Sequence, residues 1–222
     1  PADIRAESVQ MGPNGSDFEL VIDSERREMR FPLLARFNIE NALAAAAVGA
    51  AYGLSIDEIA VGLSTAPQVA GRLETVVTEP FTVLIDFAHT PAALKSVLEA
   101  LRPLTQGRLI VVFGAGGDRD RTKRRPMAAA VARSADVIVL TSDNPRTEDP
   151  EQILDDLVKG LEGKAHERLV DRDDAIRLAF STAREGDTLV LAGKGHETYQ
   201  VIGDKQRPFD ERAIVQDCLA EL

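Results

Sequence analysis

The sequence predicts an α/β protein built on a mostly parallel sheet. Three observations carry that prediction. From Phe81 onward, short apolar runs alternate with helical stretches. The runs lack polar alternation, as strands buried on both faces do. The segments that follow them are rich in glycine and charge, which suits loops at the carboxyl ends of parallel strands.

Residues 1–34 read as β structure. Asp17-Phe18-Glu19-Leu20-Val21-Ile22-Asp23 alternates in part and follows the turn Gly12-Pro13-Asn14-Gly15. Glu28-Met29-Arg30-Phe31-Pro32-Leu33 is a second strand candidate. A strand almost at once after Pro1, with no initiator Met, leads us to expect that the chain begins inside a larger protein. Residues 38–66 read as helical, with Asn38 as a cap for the Ala-rich run and Gly53 as its end. Ser55-Ile56-Asp57-Glu58 starts a second helix with a capping-box pattern. Residues 67–74 are polar and turn-prone, and the domain divide is expected after Leu73.

The second part, residues 74–222, repeats strand and helix. Strands are expected at Val83-Leu84-Ile85, residues 109–113, 137–140, 167–170 and 188–192. Helices are expected at 91–101, 123–133, 150–161 and 173–184. Such an alternation implies right-handed βαβ crossovers. Residues 197–204 suggest a small hairpin turning at Gly203-Asp204, and a helix capped by Asp210 closes the chain.

At 222 residues the chain holds one large or two small domains. A net charge of −10 argues against nucleic acid or an anionic membrane as main partner. No apolar run is long enough to cross a bilayer as a helix. The single cysteine, Cys218, excludes an internal disulfide and fits a reducing cytoplasm.

Four loops carry the chemistry. In Asp143-Asn144-Pro145-Arg146, a carboxylate, an amide and a guanidinium sit on a loop stiffened by proline. Arg146 offers a planar fork to a carboxylate and Asp143 can receive an ammonium, which together suit a zwitterionic amino acid. A capped loop with a surface ion pair accounts for the same tetrapeptide equally well. Gly114-Ala115-Gly116-Gly117 permits close approach of backbone to a ligand, but its spacing is not the G-x-G-x-x-G of a dinucleotide site. Arg119, just beyond, is either a carboxylate clamp or a solvated turn residue. Asp86 either accepts ribose hydroxyls or satisfies backbone donors, and His89 taken alone reads as a helix cap before a nucleotide contact. Lys194 and His196 are either phosphate or acid/base groups, or exposed charges on a Gly-rich turn. No G-x-x-x-x-G-K-[ST] phosphate loop and no metal-ligand cluster occurs.

Six ordered stretches give the chain a resemblance to a known family. They are Phe37-Asn38-Ile39-Glu40-Asn41, Gly71-Arg72-Leu73-Glu74, Asp86-Phe87-Ala88-His89-Thr90-Pro91, Gly116-Gly117-Asp118-Arg119-Asp120, Asp143-Asn144-Pro145-Arg146 and Ala192-Gly193-Lys194-Gly195-His196-Glu197. Over essentially its whole length the sequence resembles the C-terminal half of a Mur ligase, of the kind that adds the third residue of the peptidoglycan stem. The resemblance implies an ATP-dependent amide ligase, ADP-forming and working with Mg2+ through an acyl phosphate. It implies that residues 1–73 are the tail of a P-loop-type α/β central domain. Residues 74–222 would be a Rossmann-like C-terminal domain. The partners implied are ATP, meso-diaminopimelate, UDP-MurNAc-L-Ala-D-Glu and the missing N-terminal half, which would hold the P-loop and the magnesium ligands. Without that half the chain is expected to bind amino acid and not to turn over.

By the same resemblance, Asn38, Asn41, Arg72, Asp86 and His89 match nucleotide-contacting positions. Arg119, Asp143, Asn144, Pro145, Arg146, Gly193 and Glu197 match the amino-acid pocket. Arg119 would clamp one carboxylate of the substrate. Arg146 would hold the distal carboxylate of diaminopimelate, with Gly193 and Glu197 at the distal ammonium. The alternative is a stand-alone amino-acid or nucleotide binding module with the same fold.

Overall fold

The computed structural model describes residues 2–221. The chain forms two compact units, Pro1–Gln68 and Val69–Leu222, where the sequence reading places the divide after Leu73.

In the first unit, strands β1 (Ile4–Gly12), β2 (Gly15–Ile22) and β3 (Glu25–Phe31) make an antiparallel sheet in that order. The first of these was expected only as unspecified β structure. Alternation puts Phe18 and Leu20 of β2 on one buried face with Met29 and Phe31 of β3. Helices α1 (Arg36–Ala51) and α2 (Ile56–Ser64) pack there through Ile39, Ala42, Ala46, Ile59 and Ala60. The capping box forms as read: Ser55 accepts from Glu58 N, and the Glu58 carboxylate accepts from Ser55 N.

Asn38 does not cap α1. The cap position is Ala35, at φ 77, with no side-chain cap bond. The helix starts at Arg36, so Asn38 already lies in its first turn, and its amide donates back to the Leu34 carbonyl at 2.7 Å. Asn41 then donates to Asn38 Oδ1 at 3.1 Å.

The second unit begins with β4 (Glu74–Val77), a short strand hidden in the sequence by its polar start, and β5 (Thr82–Asp86). There follow α3 (Pro91–Leu101), β6 (Leu109–Phe113), α4 (Arg124–Ser134), β7 (Val137–Leu140) and α5 (Pro150–Val158). The chain ends with β8 (Glu167–Arg168), α6 (Arg172–Thr182), β9 (Thr188–Ala192), the hairpin β10 (Tyr199–Ile202) and β11 (Lys205–Pro208), and α7 (Glu211–Ala220). The sheet order is β4-β5-β9-β6-β7-β8, parallel except for β4, which runs antiparallel to β5. One face, carrying Val83, Ile85, Ile110, Val112, Val139, Leu189 and Leu191, packs on α6 and α7. The alternate residues Leu84, Val111, Ile138 and Val190 are equally buried, which accounts for the unbroken apolar runs.

Helix starts follow the sequence signals. Asp149 caps α5 with Pro150 at its first position, and Asp210 caps α7. At α3 the cap is Thr90, whose hydroxyl accepts from Ala93 N, so His89 is not the cap. His89 instead turns its Nδ1 to the Phe87 carbonyl at 2.7 Å.

Candidate functional site

The parallel register levels the carboxyl ends of four adjacent strands. Asp86 pairs with Ala192, Ala192 with Phe113, and Phe113 with Leu140. The loops leaving β5, β9, β6 and β7 therefore rise side by side from one sheet edge. Between them lies a cavity of about 240 Å3 lined by Phe87, His89, Gly116, Arg119, Lys123, Asp143, Asn144, Arg146, Gly193 and Glu197.

Close loop packing needs glycine at Gly117, where a Cβ would overlap the Pro145 carbonyl. Gly117 N also donates to the Asn144 carbonyl at 2.9 Å. On the far side, the β10–β11 hairpin pins the same tetrapeptide. Arg146 N donates to Val201 O at 3.0 Å, Gln200 Nε2 to the Asp143 carbonyl at 2.8 Å, and Val201 N to Asn144 Oδ1 at 2.9 Å. Arg146 is held at φ 53, an uncommon region for a long side chain and the kind of strain that gathers at ligand sites. Its guanidinium donates to the Gly117 carbonyl at 2.8 Å through Nη1 and pairs with no carboxylate among the described residues. The reading of this loop as a surface ion pair fails on that point. Arg119 is exposed and donates to the Asp118 carbonyl at 3.2 Å. Pro145 is buried beneath the loop and does not line the cavity.

Asp143 and Asn144 are buried, at 6% and 5% exposure, and face Glu197 and Lys194. Asn144 Nδ2 donates to Glu197 Oε2 at 2.9 Å, and Lys194 Nζ donates to Asn144 Oδ1 at 3.0 Å and Glu197 Oε2 at 3.2 Å. Lys194 is fully buried, so it is neither the exposed charge nor the phosphate group that its Gly-Lys-Gly setting allowed. Burial holds its amine below the ordinary lysine range, against the pull of Asp143 and Glu197. His196, two residues on, is exposed.

Asp86 turns inward. Its Oδ2 accepts from Leu73 N and its Oδ1 from Ala88 N, each at 2.7 Å. Burial pushes its carboxyl up against the lowering effect of these two donors. The carboxylate thus satisfies backbone, as the second of its two readings had it. Arg72 is exposed and lies over the Phe87 ring, 5.2 Å from its centroid. His89 and His196 rings lie 4.5 and 5.3 Å from the same ring. Asn38 and Asn41 belong to the first unit.

The cavity thus gathers Arg119, Asp143, Asn144, Arg146, Gly193 and Glu197, together with His89. Three residues that sequence reasoning missed organise it. Gln200 anchors the Asp143 carbonyl. Lys123 lines the wall. Arg172, at 1% exposure, donates to the Ser142 and Ala192 carbonyls at 3.3 and 3.0 Å, just before Asp143 and Gly193. Gln200 and Arg172 carried no local signal, because each acts on a partner at least 20 residues away.

The sequence matches the family described as Mur ligase, glutamate ligase domain, over residues 71–195. It is 44% identical over 222 residues to the UDP-N-acetylmuramoyl-L-alanyl-D-glutamate–2,6-diaminopimelate ligase of Bacillus velezensis, covering 100% of this chain and 45% of that protein. The ligase of the same name from Streptomyces avermitilis is 46% identical over 228 residues, covering 99% and 45%. A solved structure of such a ligase superposes with a TM-score of 0.75 at 36% identity, covering 99% of this chain and 46% of that one. The chain spans about half the length of the relatives it matches. The match over residues 71–195, across the loops that build the cavity, shows that the chain belongs to the Mur ligase family.

Proposed function

We propose that this chain supplies the amino-acid site of an ATP-dependent ligase that adds meso-diaminopimelate to UDP-MurNAc-L-Ala-D-Glu in the cytoplasm, during peptidoglycan synthesis. One observation carries the reading. A single cavity sets cations, Arg119 and Arg146, beside carboxylates, Asp143 and Glu197. That is the complement of a ligand bearing both carboxylates and ammoniums. The relatives named above act, by name, on 2,6-diaminopimelate.

In this reading Arg119 clamps one carboxylate of the incoming amino acid and Arg146 holds the distal one. Glu197, with the Gly193 backbone and Asp143, receives the distal ammonium. Lysine has no distal carboxylate, so it would leave the Arg146 guanidinium unpaired in a desolvated site. The cost is about 1–3 kcal/mol or more. Holding the amino acid at both ends delivers its free amine to the acyl phosphate of the other substrate in a fixed direction, which is the contribution this chain makes to rate.

For ATP, the exposed Arg72 over the Phe87 ring, with the His89 ring edge-on to it, forms a partly cationic aromatic surface that fits a base or ribose edge. Asp86 would act there by fixing the backbone of Leu73 and Ala88. Asn38 and Asn41 are adenine contacts by the family resemblance alone. Magnesium has no such fit: no group of three His, Cys, Asp or Glu side chains among the described residues is placed to hold a metal ion.

The test is calorimetric titration of the chain with meso-diaminopimelate and with L-lysine in parallel. Binding of the first alone, lost in Arg146→Ala, is the expected result. Equal binding of both, or binding that survives Arg146→Ala, overturns the substrate assignment.

A further inference from the structure

Lys194 is a buried cation that the binding scheme leaves without a task. It is fully enclosed, so a ligand in the cavity does not touch it. Its ammonium nevertheless bonds Asn144 Oδ1 and Glu197 Oε2, and stands 3.8 Å from Asp143 Oδ1. All three partners line the cavity. The Tyr199 and Phe209 ring centroids, 5.9 and 6.0 Å away, close the other side.

An ammonium donates and never accepts. With the Val201 N–H it converges on Asn144 Oδ1, so the amide is held in one of its two orientations. That orientation aims Nδ2 at Glu197 Oε2. Glu197 Oε2 then takes two donors, and Oε1 keeps its lone pairs for a ligand. Charge is set at the same time. The carboxylates of Asp143 and Glu197 against one ammonium leave a single negative charge, the complement of one ligand ammonium.

We propose that Lys194 is a positioning residue of this site. It locks the Asn144 amide and the Glu197 carboxylate into one arrangement. It also cancels one of the two carboxylate charges of Asp143 and Glu197, and with the Arg146 guanidinium lining the same cavity the site takes a ligand end with one ammonium beside one carboxylate. This rests on the amino-acid reading above and supplies the part that makes it selective for charge.

The experiment compares the full chain with Lys194→Met, Lys194→Arg, Glu197→Gln and the Lys194→Met/Glu197→Gln double variant. Two readouts are taken: calorimetric affinity for meso-diaminopimelate, and the Asn144 side-chain amide pair in the nitrogen–proton spectrum of the ligand-free protein. Lys194→Met is expected to weaken binding about tenfold or more. It should weaken binding little further in the Glu197→Gln background, because both changes remove one arrangement. Lys194→Arg should recover part of the loss. The Asn144 amide pair should move toward the position of a solvent-exposed amide in Lys194→Met. Unchanged affinity, fully additive losses or an unmoved amide pair overturns the proposal. If the parent chain takes no diaminopimelate, the amino-acid reading falls, and the amide pair still decides the role of Lys194. If Lys194→Met does not fold, Lys194→Gln carries the same test.

Discussion

Asn144 Nδ2 donates to Glu197 Oε2 at 2.9 Å, joining residues 53 apart in sequence. The bond links the loops after β7 and β9, which are not neighbours in the sheet, since β6 lies between them. At the end of β6, Gly114 lets the loop after β7 pack closely, since a Cβ there would overlap the Thr141 carbonyl.

Replacing the donor should break the site while sparing the fold. Asn144→Asp keeps shape and keeps a partner for Lys194, but sets a second carboxylate against Glu197. We expect diaminopimelate affinity to fall tenfold or more. Stability in urea should fall by about 1–3 kcal/mol, the usual cost of disturbing a buried polar partner. Affinity equal to that of the parent would show that the amide does not organise Glu197.

Backbone approach at Gly71 makes a separate prediction. Gly71 sits at φ +66, and a Cβ there would overlap the backbone of Gly195 and His196. Its carbonyl accepts from Phe87 N at 2.9 Å and its N–H donates to Glu74 at 2.7 Å. Gly71→Ala should cost about 1–3 kcal/mol from overpacking alone, beyond the conformational penalty. Gly163, at φ +82 with nothing within 4 Å, is the control. Gly163→Ala should cost only about 1–2 kcal/mol. Equal urea midpoints for the two variants would show that the contact at Gly71 relaxes freely.

Much of the fold could be read locally. The unbroken run Leu109-Ile110-Val111-Val112-Phe113 had to be buried on both faces, and it is. Asp149-Pro150 and Ser55-Ile56-Asp57-Glu58 announced helix starts because capping is a matter of a few adjacent bonds. Strand order could not be read, because β9 inserts between β5 and β6 through long-range pairing. At the site, the tetrapeptide at Asp143 stood out by composition. Lys194 stood out only as a phosphate or acid/base group or an exposed turn charge, because nothing local shows Asn144 and Glu197 closing on it. His89 and Asn38 misled as caps for one reason. Thr90 and Ala35, each nearer the true helix start, hold the cap positions.

A buried ion pair supports the site from below. Arg172 Nε donates to Glu211 Oε1 at 2.8 Å, and both side chains are nearly inaccessible. Glu211 Oε2 has no hydrogen-bond partner among the described residues, so Arg172 is the main compensation for that carboxylate. Arg172→Met strands the charge and should destabilise by about 3–5 kcal/mol. Adding Glu211→Leu should recover most of the loss. Calorimetry on the double variant is informative, because Arg172 also holds the Ser142 and Ala192 carbonyls. We expect stability to return and diaminopimelate affinity to stay reduced. Full recovery of both would remove Arg172 from the support of the site.

The last prediction concerns acid. Asp187, just before β9, accepts from Arg108 N at 2.7 Å, from Arg108 Nη2 at 2.6 Å and from Arg184 N at 3.0 Å. Burial works to raise its carboxyl, but the Arg108 guanidinium and these backbone donors outweigh it and hold the group below the usual range. A carboxyl lowered on folding adds stability above its unfolded value, about 3.9, and loses it as pH falls through the lower folded value. Asp187→Asn should therefore be less stable than the parent at neutral pH, by about 1–3 kcal/mol. The gap should shrink as pH drops below about 4, where the parent carboxyl also takes up a proton. Urea unfolding of both proteins across that range checks it. A gap that stays constant from neutral pH to the acid limit of folding would mean the loss comes from packing and not from the charge on Asp187.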